Sequence, residues 1–370
     1  MSVSKKLLQA AAGAAGGAGL DVDEVFSTYL YTGTGANRTI TNGIDLDGEG
    51  GLVWTKFRTN TVDHILFDTE RGALQKISSN TTAASANDNN SLTSFNSNGF
   101  SLGNRSLVNQ SGQDFVSWTF RKAPKFFDVV TYTGSGSGIQ TVNHNLGVAP
   151  GMMFVKKTSG TGNWLVWHRN LTNTHDKYLH LNETDAEQNY DNIWGENGYT
   201  PTSTQFKVQH IANESGTYVA YLFAHNNSDG TFGPDGDQDI IKCGSYTGNG
   251  SSTGTVVNLG FNPQFIMLKR TDSSTNANWY VFDSMRGIVT GGDDAYLYWN
   301  KTNTEVAGNA IEVTPTGFQL KDTGTGFNGS SATYIYMAIR RGPLATPDDA
   351  TKVFAVAART GASGGLGAYR

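Results

Sequence analysis

Hydrophobic and polar positions recur in the same order in three blocks along the chain. Each block opens with Tyr-Thr-Gly and continues with an apolar stretch closed by lysine, a second apolar run, an Asn-x-Thr, a lone phenylalanine and an aromatic-rich run. Counted along the sequence, the opening tyrosines are 101 and 114 residues apart, at Tyr31, Tyr132 and Tyr246. Because such a period far exceeds that of a solenoid repeat, each block can bury a core of its own.

The polar positions of the repeat are fewer than its apolar ones. The closing lysines are Lys56, Lys156 and Lys269, and the asparagines of the Asn-x-Thr are Asn80, Asn182 and Asn300. The residue that ends the second apolar run differs among the blocks, being Asp68, His168 and Asp283. The repeat therefore encodes architecture, and we expect recognition to lie in what differs, above all in the longer middle block.

The apolar stretches are short and rich in β-branched and aromatic residues. Clusters of Gly, Asn, Ser and Asp separate them, and Asn-Gly pairs such as Asn42-Gly43 and Asn197-Gly198 supply the left-handed positions that hairpins require. With no helical connections in view, the pattern predicts an all-β fold of three tandem antiparallel β-sandwich domains, jelly-roll-like, with a short N-terminal helical anchor.

The joins between blocks are short, which indicates a row of domains with limited hinge freedom. We predict an anchoring peptide at residues 1–25, β-sandwich repeats at 26–125, 126–236 and 237–343, and a C-terminal extension or linker at 344–370. Residues 4–12 have helix propensity, but a helix this short is marginal alone in water. Either it docks on a partner through Lys5, Lys6, Leu7 and Leu8, or it is a disordered tail.

Composition narrows the possible partners. The net charge of −5 gives no basic footprint for nucleic acid, and no apolar run is long enough to span a membrane. One cysteine, Cys243, rules out an internal disulfide framework. We predict no nucleic-acid partner, no membrane span and no cofactor.

The candidate catalytic positions do not repeat. No acid is kept at the end of the second apolar run in all three blocks, and we interpret Asp68 with Arg71, and Asp283 with Arg286, as turn-fixing ion pairs. A paired-carboxylate glycosidase site stays open, because its spacing is spatial. The expectation is a protein that is not an enzyme.

Two groups of residues resemble metal sites. His168, His175 and His180 with Asp176 could ligate zinc, although strand periodicity does not converge them. The run Asp235, Asp237 and Asp239 resembles the start of a calcium loop but lacks its glycine and distal glutamate. Surface histidines and a solvated linker are the favoured interpretations, and the three aspartates remain weak metal candidates.

Aromatic residues are the remaining candidates for recognition. Most of them, Trp164 and Trp279 included, fit strand cores. Trp194 and Tyr199 lie in the Gly/Asn-rich insertion of the middle block, where exposed rings could stack on sugars. They are the predicted glycan contacts.

Both ends of the sequence and its block starts resemble a known group of proteins. The opening Lys5-Lys6-Leu7-Leu8-Gln9-Ala10-Ala11-Ala12-Gly13, the Tyr-Thr-Gly-x-Gly block starts and the ending Tyr334-Ile335-Tyr336-Met337-Ala338-Ile339-Arg340-Arg341-Gly342-Pro343 are similar to virion structural proteins of T7-like marine and cyanobacterial phages. The resemblance covers almost the whole chain, and those proteins are tail-fibre or tail-appendage proteins with tandem β domains. It implies that the N-terminal peptide docks on the tail or capsid and that copies sit on a symmetric particle.

The expected function is therefore that of a virion tail-fibre or appendage protein. It would attach by its N-terminus and present β domains for host-surface attachment, as a homo-oligomer with a trimer favoured. A host surface glycan is a further candidate partner. The alternatives are a capsid decoration protein and a carbohydrate-binding or depolymerase module.

Overall fold

The computed structural model describes residues 19–288 and 291–342, which fold almost entirely as antiparallel β-sheet. Strands make up 43% of the chain and helices 3%, which confirms the predicted all-β class. The anchoring residues Lys5, Lys6, Leu7 and Leu8 and the predicted extension at 344–370 lie outside the described residues. No helix within the described residues is long and apolar enough to cross a membrane.

The first block has a large sheet with strand order β1-β9-β3-β4, a smaller sheet β2-β8-β7 and the short pair β5-β6. Its elements are α1 (Val22–Val25), β1 (Phe26–Thr32), β2 (Arg38–Thr41), β3 (Gly51–Phe57), β4 (Ile65–Asp68), β5 (Gln75–Lys76), β6 (Ala86–Asn87), β7 (Leu92–Asn96), β8 (Gly99–Leu102), α2 (Ser106–Asn109) and β9 (Asp114–Arg121).

The second block has a six-stranded sheet, β10-β17-β12-β13-β14-β15, and the pair β11-β16. Its elements are β10 (Phe127–Gly134), β11 (Gln140–Asn143), β12 (Pro150–Lys157), β13 (Leu165–His168), β14 (Lys177–His180), β15 (Gln188–Asn189), β16 (Gln205–Val208), a 3₁₀ turn (His210–Ala212) and β17 (Gly216–Ala224).

The third block repeats this order, with a six-stranded sheet β18-β26-β20-β21-β22-β23 and a smaller sheet β19-β25-β24. Its strands are β18 (Ile241–Thr247), β19 (Val256–Asn258), β20 (Pro263–Arg270), β21 (Trp279–Asp283), β22 (Asp294–Tyr298), β23 (Val306–Gly308), β24 (Ile311–Thr314), β25 (Gly317–Leu320) and β26 (Thr333–Arg340). In every large sheet the last strand of the block lies between its first strand and the strand that ends near the repeated lysine.

The Tyr-Thr-Gly phrase closes the end of each large sheet. The Tyr31 hydroxyl donates to the Val108 carbonyl at 2.7 Å, and its ring stacks on Phe115 with centroids 5.0 Å apart. The other two blocks repeat both contacts, through Tyr132 with Ala212 and Tyr218, and Tyr246 with Phe327 and Tyr334. A Cβ on Gly33 would overlap the Gln110 carbonyl oxygen, so the close backbone approach requires glycine there.

Within residues 19–288 and 291–342 the buried hydrophobic side chains form three clusters, and one of them joins all three blocks. The cluster that contains Tyr31 and Phe100 belongs to the first block, and the cluster that contains Tyr246 and Phe318 belongs to the third. The largest cluster includes Trp54, Phe154 and Trp299, one residue from each block. The predicted row of domains with limited hinge freedom does not describe this arrangement, because the large sheets share one core. The predicted domain boundaries stay predictions.

Candidate functional site

The repeated lysines connect each block to another. All three lysines are buried. Each ammonium donates to a backbone carbonyl of the neighbouring block, that of the threonine in the Asn-x-Thr. The pairs are Lys156 with Thr82 at 3.2 Å, Lys269 with Thr184 at 3.2 Å, and Lys56 with Thr302 at 3.1 Å. The second block thus contacts the first, the third contacts the second, and the first contacts the third.

Backbone hydrogen bonds follow the same cycle. In each, the amide five residues after the repeated asparagine donates to the carbonyl two residues after the repeated lysine. The pairs are Ser85 with Thr158 at 2.9 Å, Glu187 with Thr271 at 2.8 Å, and Glu305 with Arg58 at 2.8 Å. The three blocks therefore close into a ring of three equivalent contacts, which we call the inter-block ring.

A third set of equivalent contacts comes from the start of the second apolar run. Indole N–H groups donate across two interfaces, from Trp164 to the Ser78 carbonyl and from Trp279 to the His180 carbonyl, both at 2.9 Å. At the remaining interface the residue is His64, whose Nε2 lies 2.8 Å from the Tyr298 carbonyl. Because His64 Nδ1 accepts the Trp54 indole N–H, Nε2 carries the proton and donates.

The repeated asparagines position these donors. In each block the Asn side-chain oxygen accepts the backbone N–H of the residue that opens the second apolar run, at 3.0 Å for Asn80 and His64. Asn182 and Asn300 make the same bond to Trp164 and Trp279. The Asn-x-Thr is thus a structural element of the ring, in which the asparagine orders a strand start and the threonine carbonyl receives a lysine.

The predicted Asp–Arg pairs fix turns and are also buried at the interfaces. Asp68 and Arg71 lie 2.6 Å apart, and the Tyr221 hydroxyl of the second block donates to the same carboxylate at 2.7 Å. Asp283 and Arg286 repeat this arrangement, with Trp118 of the first block as donor at 3.0 Å. These carboxylates are fully buried. Loss of one partner would therefore lower the stability of the protein more than loss of an exposed ion pair, because it leaves an uncompensated buried charge.

His168 takes the place of the aspartate in the middle block. Its Nδ1 accepts the Asn170 amide, so Nε2 carries the proton and donates to the Tyr336 carbonyl of the third block at 3.3 Å. Complete burial lowers the pKa of His168 to about 3. The histidine is therefore neutral and serves the ring, so it is not available as a zinc ligand.

Aromatic side chains fill the centre of the inter-block ring. Trp54 and Trp299 stack with centroids 4.1 Å apart, and Phe154 meets Trp299 edge-on at 5.8 Å. Such pairs contribute beyond the apolar area that they bury. All three blocks therefore share one packed interior.

Burial of the lysines perturbs their ionisation. Desolvation lowers the pKa of Lys269 to about 7, against a smaller opposing effect of Asp185. It lowers the pKa of Lys56 and of Lys156 to about 8. The ring contacts consequently include groups that titrate near neutral pH.

The structure does not bring the predicted metal candidates together. Asp239 accepts the backbone N–H groups of Ser228 and Gly230 at 2.8 and 3.0 Å, whereas Asp235 and Asp237 are exposed. His175 and His180 lie against separate aspartates, Asp176 and Asp185. Among residues 19–288 and 291–342 no group of three His, Cys, Asp or Glu could hold a metal ion.

Of the two predicted glycan contacts, Trp194 is buried. Its side chain is 0% exposed and its indole N–H donates to the Lys177 carbonyl at 2.9 Å, so the expectation of an exposed ring is wrong. The insertion folds this tryptophan inward because burial of its large apolar surface is more favourable than its exposure to water. Tyr199 is half-buried, with the Lys207 ammonium 4.5 Å from its ring centroid, and stays a candidate.

The middle block has a groove of about 530 Å³ that its sequence does not predict. Its lining includes Trp167, Arg169 and His225, together with Thr200 and Pro201 from the insertion. The only sequence signal was the extra length of this block, since the lining residues come from segments far apart in the chain.

The chain belongs to the family of a domain of unknown function, DUF7483, which matches residues 21–343. The matched region contains all three blocks and every contact of the inter-block ring. A search of curated proteins returned no match.

Proposed function

We propose that this protein is a structural component of a phage virion, a tail-fibre or tail-appendage protein that is not an enzyme. It attaches to the particle through residues 1–25 and presents three β-sandwich repeats, 26–125, 126–236 and 237–343, for host-surface attachment. The observation that carries the proposal is the inter-block ring, because the polar residues that repeat in all three blocks are used to lock the blocks together. The resemblance of the sequence to virion structural proteins supports the same assignment.

A closed ring suits a part that bears mechanical load. Each block is held at two interfaces, so one contact cannot open without straining the others. Surface turns can change without disturbing this interior, because loops tolerate variation that packed strands do not. Rigid scaffold and variable turns are the two properties that a host-contacting appendage needs.

The anchoring part of the proposal is tested by removing residues 1–18. This deletion keeps Gly19 and Leu20, whose backbones exchange hydrogen bonds with Gly233. It also removes no residue of the inter-block ring. We expect a folded protein with unchanged thermal unfolding that no longer joins particles in an infection. Normal incorporation of the shortened chain would overturn the anchoring role. A variant with only Lys5 and Lys6 replaced by Gln separates charge from the whole segment.

The position on the particle separates an appendage from a capsid decoration protein. Quantitative mass spectrometry of purified particles, with gold labelling of the protein, gives both copy number and place. Copies in small multiples at the tail support the proposal. Copies in numbers set by the shell would show the decoration protein instead, and absence from particles would overturn both.

The enzyme alternative is tested with purified protein and host capsule or lipopolysaccharide. We expect no shortening of the polysaccharide chains by gel filtration after prolonged incubation. Chain shortening that follows the protein through purification would establish a depolymerase.

Oligomerisation is a separate part of the proposal. A homotrimer is the favoured assembly, but one chain already supplies the three contacts of the ring, so a single copy needs no partner to complete it. Light scattering in solution decides between a mass near 39.7 kDa and three times that value.

A further inference from the structure

The middle block differs from the other two at the mouth of its groove. Where the first and third blocks have a buried aspartate followed three positions later by arginine, the second has His168 and Leu171. Its arginine is Arg169, at the position that Thr69 and Ser284 occupy in the other blocks. In the middle block the arginine is therefore not part of the buried turn and instead lines the groove.

Arg169 is available to a ligand. Its side chain is exposed and makes no hydrogen bond or ion pair with any residue among those that the structure describes. In the other two blocks the guanidinium groups of Arg71 and Arg286 form ion pairs with buried aspartates. A planar guanidinium presents paired N–H donors that match a carboxylate.

His225 supplies a second donor on the same lining. Its Nδ1 accepts the Cys243 amide at 3.2 Å, so the proton of the neutral ring is on Nε2. Burial, with Arg169 and Lys242 nearby, lowers the pKa of His225 to about 4, and the ring stays neutral at physiological pH. Arg169 is thus the charged donor and His225 a neutral one.

The rest of the lining suits a hydroxylated ring. Thr174, Thr200 and Ser203 contribute hydroxyls, whereas Trp167 is only 3% exposed and offers no open face for stacking. A groove of about 530 Å³ is in the size range of small-molecule sites. Several hydroxyl partners beside one guanidinium fit an acidic sugar better than a bare anion.

One carboxylate, that of Asp229, shares the groove. Its Oδ1 accepts the Asn227 amide at 2.7 Å, and the Lys125 ammonium donates to the Asp229 backbone carbonyl at 2.7 Å. The Lys125 ammonium thus bonds the backbone and not the carboxylate, which offers an acceptor for a sugar hydroxyl, while Arg169 offers the cation for a ligand carboxylate.

We propose that this groove binds an acidic sugar, a pyranose whose carboxylate pairs with Arg169 and whose hydroxyls contact His225 and the Thr200–Ser203 side. The proposal goes beyond the virion assignment and holds wherever the protein is located.

The test is calorimetry of the full chain with tri-galacturonate, compared with maltotriose as a neutral oligosaccharide and with sodium sulfate as a plain anion. We expect measurable binding of tri-galacturonate that weakens with salt, and much weaker binding of the other two. Arg169→Gln should weaken tri-galacturonate binding by about tenfold or more. Arg105→Gln, which removes a half-exposed arginine from the first block, should leave it unchanged.

A double variant, Thr200→Val with Ser203→Ala, separates a sugar site from an anion site. It should weaken tri-galacturonate severalfold and leave sulfate unaffected. Equal binding of maltotriose, equal binding of sulfate, unchanged affinity in Arg169→Gln, or no binding of tri-galacturonate would each overturn the proposal. Thermal unfolding of every variant confirms that the fold is retained, as expected for exposed positions.

Discussion

Glu305 joins the end of the repeat to its beginning by contacting Arg58 through both backbone and side chain. The amide donates to the Arg58 carbonyl at 2.8 Å, and the carboxylate receives the guanidinium in a two-bond pair at 2.8 and 2.9 Å. These residues are 247 positions apart. This contact closes the inter-block ring, so its loss tests whether closure stabilises the whole protein.

We expect Glu305→Ala to lower the free energy of unfolding by about 1 to 3 kcal/mol, because the pair is partly buried and bidentate. A double-mutant cycle with Arg58→Ala, measured by urea unfolding, gives the coupling directly. Glu214→Ala removes the exposed pair with Lys157 and should cost much less. An additive cycle would show that the side-chain pair does not help to close the ring.

The buried aspartates predict a larger effect. Asp283→Asn removes the nearer of the two carboxylates at the buried Arg286, leaving Glu305 at 3.6 Å, and weakens the acceptor of the Trp118 indole. We expect a loss of about 3 to 5 kcal/mol. Asp272→Asn, in an exposed pair of the same 2.6 Å separation with Arg270, is the matched control and should cost far less. Similar losses in both variants would show that burial does not set the effect.

The lowered pKa of Lys269 implies that the free energy of unfolding rises with pH. Its pKa is about 7 in the folded protein and near 10.5 when exposed, so the folded state holds fewer protons between these values. The free energy of unfolding should therefore increase by about 1.5 kcal/mol from pH 7 to pH 8.5 through Lys269 alone. Lys56 and Lys156 act in the same direction from about pH 8.

This pH effect is measured by urea unfolding of the native sequence and of Lys269→Met at both pH values. The variant should show a smaller rise, and Lys301→Met, which removes a partly exposed lysine, controls for the lost charge. The range ends below pH 9, because the Cys243 thiol, whose pKa burial raises from its ordinary value of 9.0, opposes the trend above it. Equal slopes in the native protein and Lys269→Met would contradict the assignment.

The Tyr-Thr-Gly glycine predicts a steric effect. Gly33→Ala places a methyl group against the Gln110 carbonyl, and we expect a loss of about 1 to 3 kcal/mol in thermal unfolding. Gly162→Ala is the control, since a Cβ there meets nothing within 4 Å. A neutral Gly33→Ala would mean that the turn relaxes and that the glycine is not needed for close approach.

Trp194 predicts a stability defect rather than a binding defect. Truncation of this buried side chain to alanine should cost about 3 to 5 kcal/mol, and Trp194→Phe less. Tyr199→Ala, at a half-buried position, should unfold more like the native protein. Native stability in Trp194→Ala would contradict the burial of the indole.

The strands and the repeat follow from the order of the amino acids alone. Alternating β-branched and aromatic residues with Gly/Asn turns predict antiparallel sheet, because a strand exposes alternate side chains to alternate faces. Tyr31, Lys56 and Asn80 and their counterparts recur in the same order and at similar spacing, so the repeat is apparent from the amino-acid sequence alone.

The role of the repeated polar residues depends on contacts between blocks that lie far apart in the chain. Lys56 and Thr302 are 246 positions apart, and a partner that distant leaves no local periodicity to read. The same holds for Trp194, whose polar neighbours in sequence indicate a surface loop while its burial depends on how the insertion folds back. Local propensity follows from neighbours along the chain, whereas ring closure follows from the packing of three sheets against one another.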